Sequence, residues 1–246
     1  MFRSIAHQSS LTQRAQVQIE DLIVGGALAR GDRLPSEREL TERLQVSKTV
    51  VREAIRALVG KGLLEVRAGS GVYVRHFGSD VIEEPMKLLL RANVLKPADI
   101  HEIRTILEVN IAGLAAARAQ ASDLEAMEKT IRALDQPKLT AIAFAQTDVA
   151  FHNHLALSAG NPLCSVLVSS LNGVMIEVRL RAFHLQGATL TAQRAISYHS
   201  RILERVSARD VEGARQAMQE HLAGSLQTLQ RVAEALSWDQ LGHSSA

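Results

Sequence analysis

The segment TDVAFHNH, residues 147–154, carries one carboxylate and two imidazoles. Asp148 and His152 stand four positions apart, which stacks them on one face of an α-helix, while His154 falls on another side. A carboxylate and a neutral imidazole in that register suit a divalent metal. Two more histidines follow: His199 in YHSRIL and His221 in QEHL, 22 residues apart across a turn at Ala208–Asp210. Helices returning antiparallel across that turn can bring the pair level, so Asp148, His152, His199 and His221 could converge on one ion. Such an ion admits three uses: activating water, receiving a ligand, or bracing the fold. Hydrolysis needs a placed general base. The nearest carboxylates are Glu204, five residues past His199, and Glu220, directly beside His221, and neither has the helical offset that aims it at the ion. The spacing therefore favours a sensor over a hydrolase-like metalloenzyme. His101, His154 and His184 lack comparable partners and read as surface or structural residues.

The elements that must position these side chains are helices. The 246 residues are 46% hydrophobic but only 3% aromatic, an Ala- and Leu-rich balance that favours helix over sheet. From residue 79 onward the periodicity predicts helices over 81–92, 99–119, 122–134, 138–159, 163–184, 189–207 and 210–236, an antiparallel all-α bundle of about seven. Pro97, Pro137 and Pro162 fall in the gaps, and Asp99, Ser122 and Asp210 stand as helix caps. The closing Ser244–Ser245–Ala246 reads as frayed. The helix bearing Asn172, Glu177 and Arg179 is placed to line a cavity between its neighbours. The single Cys164 excludes an intramolecular disulfide and any multi-cysteine cluster; it reads as a packing residue in a reducing compartment. No apolar run approaches membrane-spanning length and no signal-peptide pattern opens the chain, so the expectation is a soluble cytoplasmic protein with no membrane partner.

The first third is different. Residues 1–78 hold 12 Lys+Arg against 8 Asp+Glu, and residues 79–246 hold 16 against 18, so the charge runs +4 then −2. Gly78, Ser79 and Pro85 interrupt the pattern, which places a boundary between domains 1–78 and 79–246. Ser10 caps a helix to about Val24, Ser36 with Glu39 forms a capping box before a short helix, and Ser47 caps a third. LLEVRAGSGVYV then reads as a β-hairpin. Three helices and a hairpin make a winged helix-turn-helix. On the third helix Lys48, Arg52 and Arg56 share one face with Thr49 beside them, while Val51, Ala54, Ile55 and Leu58 line the other. The basic face fits a major groove of double-stranded DNA, and Arg67 with the small tip Gly69-Ser70-Gly71 fits a wing against backbone or minor groove.

LPSERELTERLQVSKTVVREAIRALVGKGLLEVRAGSGVYV resembles the DNA-binding domain of the GntR transcription regulators over residues 10–76. The resemblance implies that Arg38, Ser47, Lys48, Thr49, Arg52, Arg56 and the wing tip Gly69, Ser70, Gly71 meet operator DNA. Lys48 stands where many members have arginine, and lysine lacks the guanidinium fork. DVAFHNHLALSAGNP, YHSRIL and ARDVEGARQAMQEHL resemble the FCD ligand-binding domain of the FadR branch, over about residues 80–236. That likeness implies a divalent metal, commonly zinc or nickel, on Asp148, His152, His199 and His221. It also implies that Arg104 faces the pocket and grips a carboxylate; a salt bridge to Glu108 one turn on is the alternative. The expected protein is a homodimeric, cytoplasmic transcription regulator. Its two heads read a pseudo-palindromic operator, and a small carboxylate effector, such as a sugar acid or hydroxy acid, binds at the metal.

Overall fold

The computed structural model describes residues 10–75 and 80–235, with side chains left out for Asp80, Val81 and Ala235. The chain clusters into two compact units, Met1–Val81 and Ile82–Ala246. The residues Gly78 and Ser79, where the sequence places the boundary, and the terminal Ser244–Ala246 lie outside the described residues.

The first unit is a winged helix-turn-helix built from α1 (Leu11–Val24), α2 (Glu37–Leu44), α3 (Lys48–Gly60), β1 (Leu64–Arg67) and β2 (Gly71–Val74). All three serine caps form as the sequence implies. Ser10 accepts from Gln13 N, Ser36 from Glu39 N and Ser47 from Val50 N, each satisfying an amide that has no partner within its helix. Gln45 takes a left-handed conformation, φ 51°, and so turns the chain from α2 into α3. Val51, Ala54, Ile55 and Leu58 of α3 are buried, packed with Ile19, Ile23, Leu34 and Leu40. The strands pair antiparallel from Leu64↔Val74 to Arg67↔Gly71. The wing turn needs glycine at Gly69, φ 70°, and Gly71, φ 124°.

The second unit is all helical: α4 (Asp80–Arg91), α5 (Pro97–Arg118), α6 (Ala121–Leu134), α7 (Ala141–Ser158), α8 (Pro162–Val174), α9 (Ile176–Gln186), α10 (Ala188–Ser207) and α11 (Val211–Ala235). Small residues Ala112, Ala115 and Ala116 let α5 approach α11, where Met218 and Leu222 complete a core shared with Phe151 and Leu155 of α7. Pro97 and Pro162 each occupy the first position of a helix, where a missing N–H costs nothing.

Two expectations need correction. The helix predicted over 163–184 is broken at Met175 into α8 and α9, which are bent by 49°. The bend is stabilised by a contact that no local pattern encodes: Arg179 reaches back to Asn172, its Nη1 3.3 Å from the main-chain oxygen and its Nη2 2.5 Å from Oδ1. The capping sites shift as well. Asp99 lies at the third position of α5, where its carboxylate accepts from Lys96 N at 2.8 Å, and Ser122 lies inside α6, where Asp123 does the same for Gln120 N. Asp210 does cap α11, accepting from Gly213 N at 2.9 Å. Among the described residues no single helix is long and apolar enough to cross a membrane.

Candidate metal and effector site, and candidate DNA interface

Three helices bring three histidines together. His152 on α7, His199 on α10 and His221 on α11 are all buried, and one ring nitrogen from each lies within 4.8 Å of the others. His152 Nε2 and His221 Nε2 face each other at 3.2 Å. Two imidazoles ligating one ion at about 2.0–2.1 Å hold their nitrogens roughly 3 Å apart, so the spacing fits a shared ion. The ring of His199 stacks on Phe151, centroids 3.9 Å apart, and neither of its buried nitrogens has a hydrogen-bond partner. Buried polar atoms are rarely left so. A divalent cation would satisfy one of them.

The surrounding charges prepare the cluster for that task. Burial pushes the His199 imidazole down to about 3, against the opposing pull of Asp148. His221 is driven well below its usual range, first by burial and then by His199 and His152. Both rings are thus neutral near pH 7, the form that ligates. His152 Nδ1 lies against the Glu108 carboxylate, which leaves its Nε2 for the cluster. Glu108 Oε1 also accepts from Arg104 Nε at 2.8 Å and from Asn172 Nδ2 at 3.3 Å. Burial raises the Glu108 carboxyl, but Arg104 and His152 outweigh it and hold the group well below the usual carboxylate range.

Asp148 stands at the edge of this cluster. Its Oδ1 is 3.5 Å from His199 Nε2, while Oδ2 accepts from Arg179 Nε at 2.5 Å. Burial raises its carboxyl too, and Arg179 more than compensates. Arg104 meets both descriptions at once: it pairs with Glu108 through Nε and lines a cavity. That cavity is partly open to solvent and is lined by Arg104, Arg179, Arg194, Asp148, Tyr198 and His221 among others. Of the side chains left open by sequence, Asn172 and Arg179 join the buried network, whereas Glu177 is exposed and paired with Arg181. Glu204 is exposed, and Glu220 is half-buried and paired with Arg201 at 2.6 Å, so no general base faces the cluster from those positions. His101 is buried; His154 is half-buried and His184 exposed. Cys164 packs beside Ile111 and Val168.

In the winged unit Ser47, Lys48, Thr49, Arg52 and Arg56 lie exposed on α3, with the tip Gly69 and Ser70 exposed and Gly71 half-buried. Arg38 is exposed on α2, 3.2 Å from Glu42. One residue escaped the sequence reading. Glu37 accepts both contacts of Arg52 Nε, at 2.9 and 3.0 Å, and stands 3.7 Å from Lys48 Nζ. It brings Lys48 and Arg52 of the exposed basic face to one carboxylate. Its position in the first turn of α2 was visible in sequence, but its direction across to α3 was not. In the wing, Arg67 stacks over Tyr73 at 4.2 Å, and Ser70 Oγ shares a 2.6 Å hydrogen bond with the Tyr73 hydroxyl.

A winged helix-turn-helix followed in the chain by an all-α unit with a cavity that carries charged side chains defines a ligand-binding class of DNA-reading protein. Residues 11–74 match the family described as bacterial regulatory proteins, gntR family, and residues 99–224 match the FCD domain. The chain belongs to the GntR family of bacterial regulators and carries an FCD domain of the FadR type. The HTH-type transcriptional regulator LutR of Bacillus subtilis (strain 168) is 31% identical over 203 residues, covering 82% of this chain and 93% of that one. The Uxu operon transcriptional regulator of Escherichia coli (strain K12) is 33% identical over 230 residues, covering 88% and 86%. A solved structure titled Streptococcus agalactiae GntR matches with a TM-score of 0.66 at 25% identity, covering 88% of this chain and 99% of that chain. These relatives are named as regulators. The protein is a DNA-binding transcription regulator and not an enzyme.

Proposed function

We propose that the protein is a homodimeric, cytoplasmic regulator whose affinity for a pseudo-palindromic operator is set by a small carboxylate effector bound beside a divalent metal, zinc or nickel. His152, His199 and His221 would hold the ion, with Asp148 as the fourth ligand. The bound ion would supply positive charge and open coordination positions for carboxylate oxygens. The observation that carries this reading is the pairing of orphaned buried imidazoles with an arginine-lined cavity.

The chain's own residues suggest how binding is transmitted. A carboxylate in the cavity competes with Glu108 for Arg104 and with Asp148 for Arg179. Arg179 is tied to Asn172, and the next residue, Gly173, is the seat of Glu83 on α4: a Cβ on Gly173 would stand 2.1 Å from Glu83 Oε2. Any movement of Asn172 therefore reaches α4, the first helix after the DNA-reading unit in the chain. Binding energy that differs between two positions of α4 is what shifts operator affinity.

The test is operator affinity with and without D-gluconate, a hydroxylated carboxylate, for the zinc-loaded wild type and for His199→Ala of verified metal content. The wild type should respond and the variant should bind operator without responding. A metal-free His199→Ala protein that still responds fully would overturn the sensing role of the site.

A further inference from the structure

The cavity has two ends, and the second has a cation of its own. At the first end, Arg104 and Arg179 each face a buried carboxylate partner, Glu108 and Asp148. Arg194 has none among the described residues. Its Nη2 donates to the carbonyl oxygen of Gly224 at 3.2 Å, and its guanidinium lies 5.9 Å from the Tyr198 ring. Three arginines against two carboxylates leave the cavity at +1 before any ion is counted.

Gly224 makes this end possible. A Cβ there would stand 2.8 Å from Tyr198 Oη and 2.9 Å from Arg194 Nη2, so both side chains lean on α11 only because position 224 has no side chain. Helical rise sets the separation. Arg194 precedes His199 by five residues on α10, about 7.5 Å, and Gly224 follows His221 by three on the antiparallel α11, about 4.5 Å in the same direction. Between and beyond them the lining carries four hydroxyl side chains, Tyr198, Thr191, Ser225 and Thr228, alongside the apolar Phe144, Ala182 and Ala195.

We infer that the effector is a hydroxylated dicarboxylate: one carboxylate sits at the histidine end and the other on Arg194, with Gly224 keeping that second subsite open. The inference rests on the effector reading above and narrows it. A guanidinium held at one nitrogen keeps further N–H groups for a carboxylate, and such charge-assisted hydrogen bonds are stronger than neutral ones. The hydroxyl side chains match hydroxyls along the ligand backbone. A one-ended acid of the same length would leave Arg194 facing an alcohol or a methyl group.

The experiment uses the zinc-loaded full chain and matched acids that differ only at the far end: D-glucarate against D-gluconate, and L-malate against L-2-hydroxybutyrate. Calorimetry on wild type should show the diacid of at least one pair binding about tenfold or more tighter than its partner. Arg194→Gln should abolish that preference while leaving the one-ended acid within threefold of wild type. Gly224→Ala, checked by thermal melting, should do the same by displacing Arg194 and Tyr198, and Arg194→Lys should keep part of the preference. Equal affinity within both pairs, or a preference that survives Arg194→Gln, overturns the second subsite and leaves the carboxylate reading in place. Binding of none of the four acids overturns both.

Discussion

Replacing Glu108 by glutamine separates two roles that meet in one buried carboxylate. Glu108 is 1% exposed and Arg104 2% exposed, so their 2.8 Å pair is shielded from water. Removing one partner of such a pair costs about 3–5 kcal/mol because the other charge is stranded. Glutamine keeps one oxygen for Arg104 Nε, which puts the expected loss near the lower end, about 3 kcal/mol. At about 2–4 °C per kcal/mol for a domain of this size, the melting temperature of metal-free protein should fall by about 6–12 °C. Glu108 also orients His152, and loss of such a partner weakens metal binding about 10–100-fold. Thermal denaturation measures the first effect and competition with a chromophoric zinc chelator the second. The double variant Arg104→Met with Glu108→Leu distinguishes them. It removes both charges, so stability should return to within about 1 kcal/mol of wild type, while zinc affinity stays low because His152 still lacks its acceptor. Wild-type zinc affinity in Glu108→Gln would refute the orienting role. A double variant no more stable than the single one would refute the charge argument.

Other outcomes follow from the same geometry. Arg52→Ala should lower discrimination between operator and mismatched DNA by about 1–3 kcal/mol, whereas Arg56→Ala should reduce the salt dependence of binding by about one counterion; filter binding across a salt series separates them. Arg104→Lys keeps a charge for Glu108 but loses the fork, so D-gluconate affinity should fall about tenfold with zinc content unchanged; unchanged affinity would confine Arg104 to its ion pair. His101 is held down to about 4 from 6.5 by burial and then by Arg104. The unfolded chain therefore takes up a proton near 6.5 that the folded chain refuses until about 4, and stability present above that window is lost as pH falls through it. At about 1.4 kcal/mol per pH unit the loss is about 3–4 kcal/mol, and His101→Gln should flatten the slope in urea titrations between those pH values.

Much of this molecule is written locally. Ser10, Ser36 and Ser47 mark helix starts because a side-chain oxygen within reach of its own third residue needs no distant partner. The buried stripe Val51–Ala54–Ile55–Leu58 and the basic stripe opposite follow from 3.6 residues per turn, so the exposed basic face of α3 is legible without coordinates. The histidines were legible as a set through the likeness to the FCD domain; helix periodicity allowed their convergence without requiring it.

What tertiary structure decided is which way side chains point across helices. The break at Met175 has no proline or consecutive glycines to announce it, and it is held by Arg179 reaching Asn172 seven residues back. Glu37 turns toward Arg52 across fifteen residues of chain, and Glu108 touches His152 and Asn172 from 44 and 64 residues away. Sequence offered Glu108 only as the neighbour of Arg104 one turn on, because i,i+4 geometry is local and the rest is not. The approach of Arg194 and Tyr198 to α11 depends on an absent side chain at Gly224 in a helix that sequence reads as uninterrupted. Periodicity assigns a residue to a face; the crossing of packed helices assigns that face its partners, and only the folded chain contains those crossings.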